Sequence, residues 1–181
     1  MADELIDIFD EKNKPLGIQK MKSEAHRDGL WHRTSHVWIY NSRGEIFLQF
    51  RANTKDWPNM WDISAAGHIN AGEDTLTAAL RETEEEIGLK LKPDDLEFFK
   101  IHNLRMAYNE KRNNEHAYVY FFKFDGDIND LKMQKEEVAK IKFIPVAELT
   151  EDLKLHPLKY VPHGDYWDEV IEEVRNRILD L

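Results

Sequence analysis

The sequence predicts an α/β (α+β) chain, a mixed sheet with helices packed on it. Three observations carry this expectation. Short runs rich in β-branched and aromatic residues are separated by turn residues. Apolar residues repeat at helical spacing over residues 74–87, and again over 165–181. Strands with helices between and after them build layers around a core. The chain has 181 residues, which is expected to be one domain over 1–181. At that size about 70% of the unfolded surface is buried, so no disulfide staple is needed.

Leu5–Phe9 is predicted as a short strand ended by the turn residues 13–15, and 19–26 as a helix stopped near Gly29. Residues 36–40 and 46–50 flank Asn41-Ser42-Arg43-Gly44, a hairpin signature. Residues 51–61 form a loop held by Trp57, Pro58 and Trp61. Residues 63–68 read as a strand of small side chains, which lets another group approach the backbone closely. The clearest helix covers 74–87, with Leu76, Ala79, Leu80, Thr83 and Ile87 as its inward stripe. Asp74 is placed to cap its start, and Gly88 with Leu89 to end it. Residues 97–104, 116–124 and 140–144 are strands, and 145–149 begin a short helix. A final amphipathic helix over 165–181 turns Val170, Ile171, Val174 and Ile178 inward.

The 25 Lys and Arg against 35 Asp and Glu give a net charge of −10. Such a chain is a poor partner for nucleic acid duplexes, whose phosphates need clustered cations. An anionic substrate would need a metal ion or a local basic pocket to offset the repulsion. There is no cysteine, which excludes a disulfide framework, a cysteine zinc site and a cysteine nucleophile. The first residues carry no basic and apolar leader, and the longest apolar runs, such as 118–122, are far short of a membrane span. A cytoplasmic protein with no membrane partner is expected. The oligomeric state stays open.

Glu82, Glu85 and Glu86 stand at i, i+3 and i+4 and so share one helix face. On their own they would be a solvated acidic surface or a site for a hard divalent cation. Their surroundings decide between the two. Gly67 is followed after five residues by Glu73, and after seven more by Arg81 and Glu82, then Glu85, Glu86 and Gly88. This stretch, GHINAGEDTLTAALRETEEEIGL over 67–89, resembles the Nudix box GX5EX7REUXEEXGU, where U is aliphatic. Only one U position departs, with Thr83 in an aliphatic place, a change of packing more than of chemistry.

The resemblance implies a Nudix-type α/β/α sandwich with a mixed sheet. It implies that Glu82, Glu85 and Glu86 ligate Mg²⁺ or Mn²⁺ against a substrate diphosphate, with Glu85 and Glu86 as the catalytic carboxylates. It implies an Arg81–Glu73 pair that orients the loop, and a further acid or base at Glu136 or Glu137. The residues Gly29 to Arg33 with His36, then Trp57-Pro58 and Gly67-His68, resemble the isopentenyl-diphosphate isomerase branch. That likeness implies a metal near His26, His32 and His68, a proton-transferring Glu115, and a diphosphate held by Lys20, Arg51 and Lys55.

The branch's catalytic cysteine is replaced here by Ala66, and a neighbouring metal-ligand glutamate by Asn113. A methyl group cannot hand a proton to carbon. The expected function is therefore a metal-dependent pyrophosphohydrolase that cleaves a nucleoside di- or triphosphate or a prenyl diphosphate. The isomerase and a non-catalytic ligand sensor on the same fold are the alternatives. Trp31, Trp38, Trp57, Trp61 and Tyr108 are the aromatic side chains available to stack a base, or else to fill the core.

Overall fold

The computed structural model describes residues 3–179. Its axis is strand β3 (Trp31–Tyr40), which lies against β8 (Lys111–Lys123) in parallel over ten residues, Trp31 opposite Asn114 and Tyr40 opposite Lys123. Along the other edge of β3 three strands follow one another. Strand β1 (Leu5–Phe9) meets it at Trp31 and His32, β6 (Ala65–His68) at Thr34 to Val37, and β4 (Glu45–Arg51) at Tyr40. Strand β2 (Pro15–Met21) continues the sheet beyond β1. Strands β5 (Trp61–Asp62) and β9 (Val138–Pro145) pair with β4, and β7 (Glu97–Tyr108) pairs with β8.

Alternation along β3 creates two cores. Trp38 and Tyr40 face helices α3 (Val146–Leu155) and α4 (Tyr166–Leu179), where Leu149, Trp167, Val170, Ile171 and Val174 are buried. Val37 and Ile39 face helix α2 (Thr75–Ile87), where Ala79 and Ile87 are buried. The result is the expected sheet between helical layers.

Helix α2 begins as the sequence predicts. The Asp74 carboxylate accepts the backbone N–H groups of Leu76 at 3.1 Å and Thr77 at 3.0 Å, and Gly88 ends the helix at φ 72°. A side chain at Gly88 would also meet the Lys132 backbone at 3.0 Å. Thr83 is fully buried and donates its hydroxyl to the Ala79 carbonyl at 2.7 Å, so its polar atom is satisfied within the helix.

The expected helix over 19–26 is corrected. The chain stays extended to Met21 because β2 pairs with β1, Ile6 opposite Lys20 and Leu5 opposite Met21. Only then does helix α1 (Lys22–Asp28) form, ending at Gly29 with φ 65°. Pairing also lengthens the other strands. β3 and β8 extend each other by their ladder, and β7 and β8 run together to a tight turn at Asn109 and Glu110. α3 continues to Leu155, past the predicted short helix. The last two residues of the predicted final helix lie outside the described residues.

Replacing Asp74 with Ala removes both capping bonds and is expected to cost about 1 kcal/mol, read as a lower denaturant midpoint with an unchanged slope.

Candidate functional site

Strand β6 is narrow because a carboxylate lies on it. A Cβ at Gly67 would sit 1.9 Å from Glu82 Cδ, so only glycine admits the helix at this distance. Ala78, Glu82 and Glu86, spaced by four, form a second buried face of α2 beside its apolar stripe. Arg81 fastens this arrangement. Its Nε and Nη2 donate to the two Glu73 oxygens, each at 2.9 Å, Nη2 also donates to the His68 carbonyl at 3.0 Å, and Nη1 donates to Glu82 at 2.6 Å. The loop leading into the helix is thereby stapled to it, as the Arg81–Glu73 pairing requires.

Glu86 is almost fully buried, and its Oε2 accepts Gln49 Nε2 at 2.9 Å and the Ala66 backbone N–H at 3.0 Å. Burial raises its pKa to about 8, with Lys55 opposing and Glu82 adding to the rise. Burial likewise raises Glu82 to about 7, against the pull of Arg81. Glu85 differs, with its side chain 53% exposed at the cavity. Two crowded, desolvated carboxylates and one open one are a donor set that a hard divalent cation suits.

A second cluster lies alongside. His26 comes from α1, His32 from β3 and His68 from β6, and one ring nitrogen of each lies within 4.8 Å of the others. His26 Nε2 and His68 Nε2 are 3.1 Å apart. His32 donates Nδ1–H to the Leu30 carbonyl at 2.9 Å, which leaves the buried Nε2 lone pair with no partner among the described residues. Burial lowers all three pKa values, His26 to about 4, so the rings are neutral ligands at pH 7. Glu115 Oε1 stands 3.9 Å from His32 Nε2. Burial alone would raise the Glu115 carboxyl, but its contact with His36 holds it below its ordinary range. Neutral imidazoles and one anionic carboxylate fit a borderline divalent cation.

Glu82 and Glu85 of the first cluster and His26, His68 and Glu115 of the second line one cavity of about 600 Å³, while Glu86 and His32 are buried. Of the sequence-predicted cations, Arg51 and Lys55 line it, and Lys20 does not. Arg51 donates to Asp62 at 2.5 Å and to the Asp56 carbonyl at 2.7 Å, and Lys55 pairs with Glu137. Lys20 lies on β2, 3.8 Å from Glu24. Because the strand runs to Met21, it is Lys22 that turns to the cavity, bonded to Glu4 at 2.8 Å. Glu137 lines the cavity and Glu136 is exposed outside it. Trp57 is at the cavity against Tyr108, ring centroids 5.0 Å apart, whereas Trp38 is core.

Two cavity residues had no signal in the sequence. Asp62 is buried between Arg51 and His163, with His163 Nε2 at 2.6 Å, and these two hold its carboxyl below the ordinary range against the opposing effect of burial. Asp62 and His163 belong to no local pattern, since their partners are 11 and 101 residues away. His36, part of the isomerase likeness, stands behind Glu115.

A sheet between helical layers, with a carboxylate-bearing helix at one cavity, defines a class. A NUDIX domain model matches residues 30–163, and the chain belongs to the Nudix hydrolase family. A protein of Arabidopsis thaliana named Nudix hydrolase 3 is 37% identical over 186 residues, covering 98% of this chain but 24% of its own length. The chain thus spans about a quarter of that relative. An isopentenyl-diphosphate Delta-isomerase of Pectobacterium atrosepticum is 31% identical over 170 residues, covering 88% of this chain and 91% of its own. A crystal structure of a Deinococcus radiodurans protein shares the fold with a TM-score of 0.71 at 18% identity, covering 94% of this chain and 99% of that one. Among the described residues no helix is long and apolar enough to cross a membrane.

The raised carboxyls have a consequence for pH. Between the ordinary value of 4.5 and about 8 the folded, metal-free chain holds more protons than the unfolded one at Glu82 and Glu86. These groups therefore cost stability as pH rises through that window. Glu86→Gln removes the ionisation. Its melting temperature without metal is expected to gain on the wild type as pH rises from 4.5 to about 8, by roughly 2–4 °C for each kcal/mol relieved. Scanning calorimetry in a chelating buffer checks this. Gly67→Ala is expected to displace Glu82 and weaken Mg²⁺ binding at least tenfold by titration calorimetry, as loss of a ligand's support does.

Proposed function

We propose that the chain is a metal-dependent Nudix pyrophosphohydrolase acting on a nucleoside di- or triphosphate or a prenyl diphosphate by water attack at phosphorus. One observation carries the reading: Glu82 and Glu85 of the α2 carboxylate face line a cavity that Arg51, Lys55 and Lys22 also line, with Glu86 buried on the same face. Glu82, Glu85 and Glu86 would hold Mg²⁺ or Mn²⁺. When bound, the ion neutralises phosphoryl charge and makes a bound water more acidic. Arg51 and Lys55 bind substrate oxygens, Arg51 with a guanidinium held in place by Asp62 and the Asp56 carbonyl. Glu85 reaches solvent in the cavity and takes the proton of the attacking water, with Glu86 as the second catalytic carboxylate. His26, His32, His68 and Glu115 hold a further, borderline cation alongside. The single Nudix domain spans 1–181 and works on small molecules in the cytoplasm, a setting that the lack of cysteine suits.

The imidazole cluster and the isomerase-named relative favour isopentenyl-diphosphate isomerisation as a second reading. Ala66 opposes it. It pairs with His36 in the sheet and lines the cavity with a methyl group that carries no proton.

A panel of nucleoside di- and triphosphates, sugar nucleotides and prenyl diphosphates with Mg²⁺ or Mn²⁺, read by released phosphate or pyrophosphate, tests the hydrolase. Glu86→Gln is expected to lower turnover by about 10²-fold or more at saturating metal, and near-full turnover would remove the assignment. Lys55→Ala is expected to raise KM and lower kcat/KM by roughly tenfold, the effect of about 1.4 kcal/mol of lost binding. Incubating either isomer of the prenyl diphosphate in deuterated water is expected to leave no deuterium on carbon. Labelling by mass spectrometry would restore the isomerase.

A further inference from the structure

The buried polar groups behind Glu115 form one continuous chain. Trp38 Nε1 lies 2.8 Å from Tyr166 Oη, and Tyr166 Oη lies 3.1 Å from His36 Nδ1. His36 Nε2 is 3.4 Å from Thr34 Oγ1, which is 3.2 Å from Glu115 Oε2. His36 Nε2 is itself 3.7 Å from that same oxygen. All five residues are at most 5% exposed.

An indole N–H only donates, so the Tyr166 oxygen accepts from Trp38. The Thr34 hydroxyl donates to Glu115 Oε2, and the ring of His36 bridges Tyr166 and Thr34 through its two nitrogens. On the other carboxylate oxygen, Asn113 Nδ2 donates to Oε1 at 2.5 Å.

No member is one of the three clustered histidines, and Tyr166 comes from α4, on the far helical layer. There the ring of His102 stacks on it, centroids 4.4 Å apart, with His102 Nδ1 3.1 Å from Glu169. A fully buried tyrosine, histidine and threonine strung on one carboxylate exceed what helix packing needs, because apolar residues would fill the same space without polar atoms to satisfy.

We propose that Thr34, His36 and Tyr166 are positioning residues that orient the Glu115 carboxylate as a metal ligand, so that the packing of α4 on the sheet is coupled to cation binding at His26, His32 and His68. The inference rests on the reading of that cluster as a cation site. Ligating groups need such support: loss of an outer hydrogen bond costs about 10- to 100-fold in metal affinity.

The test uses the full chain stripped with a chelator and titrated with Co²⁺ in excess Mg²⁺, which keeps the oxygen-only carboxylate face occupied. Calorimetry gives Kd, and the visible absorption of bound Co²⁺ reports its ligand geometry. His32→Ala tests the site itself. Tyr166→Phe removes one hydroxyl and keeps the ring, and Thr34→Val removes another with little change of shape. Circular dichroism and melting confirm that each is folded. The expected result is loss of Co²⁺ binding in His32→Ala, and a 10- to 100-fold weaker Kd with an altered spectrum in Tyr166→Phe and Thr34→Val. A purely structural role would lower melting temperature and leave the spectrum unchanged. Loss of binding in His32→Ala with wild-type Kd and spectrum in both folded hydroxyl variants would overturn the positioning role and leave the cation site standing. Co²⁺ binding unaffected by His32→Ala would overturn both.

Discussion

Glu82 and Glu86 enter the interior from the same helix that supplies one of the two apolar cores. A carboxylate resists leaving water unless hydrogen bonds or a cation meet it. Around these two the protein supplies both. Arg81 reaches Glu82, while Gln49 and the Ala66 N–H reach Glu86. β6 must be nearly side-chain-free to admit them, which is why Gly67 sits under Glu82. The same requirement fixes the loop before α2, since Arg81 can serve Glu82 only while Glu73 and the His68 carbonyl hold its other nitrogens. Much of the central architecture answers to the problem of keeping acid inside.

The interior acid also explains the division of the cavity. A chain of net charge −10 binding an anion needs local cations, and Arg51, Lys55 and Lys22 line the wall of the space that the carboxylates open. Each is already engaged by an acidic partner: Asp62, Glu137 and Glu4 respectively. These pairs hold the cations in place and temper their charge. Alongside, three rings made neutral by burial and the Glu115 carboxylate form a site of different chemical softness. Two donor sets in one cavity suit two kinds of cation.

The chemistry of α2 could be read in the sequence because it is local. The spacing from Gly67 through Glu73, Arg81, Glu82, Glu85 and Glu86 to Gly88 lies within 22 residues of helix and loop, where helical period fixes which side chains share a face. The Asp74 cap, the Gly88 stop and the inward stripe followed from the same rule. Lys20 shows where local reasoning stops. A short amphipathic run reads equally as helix or strand, and only the ladder from β1 makes it a strand, shifting the cation at the cavity to Lys22.

The sequence by itself determined the family, the layered mixed sheet and the carboxylate face, because each depends on residues close together in the chain. It also determined that Ala66 brings no acid to its position. Tertiary structure alone decided which carboxylates are buried and which is open, and that Asp62 and His163 brace Arg51. It alone decided that Trp38, Tyr166, His36 and Thr34 are strung together on Glu115. These partners lie 2 to 130 residues apart, on strands and helices whose pairing no single segment encodes. Burial and hydrogen-bond direction, which set the charge of every group in the cavity, exist only once the sheet has closed around them.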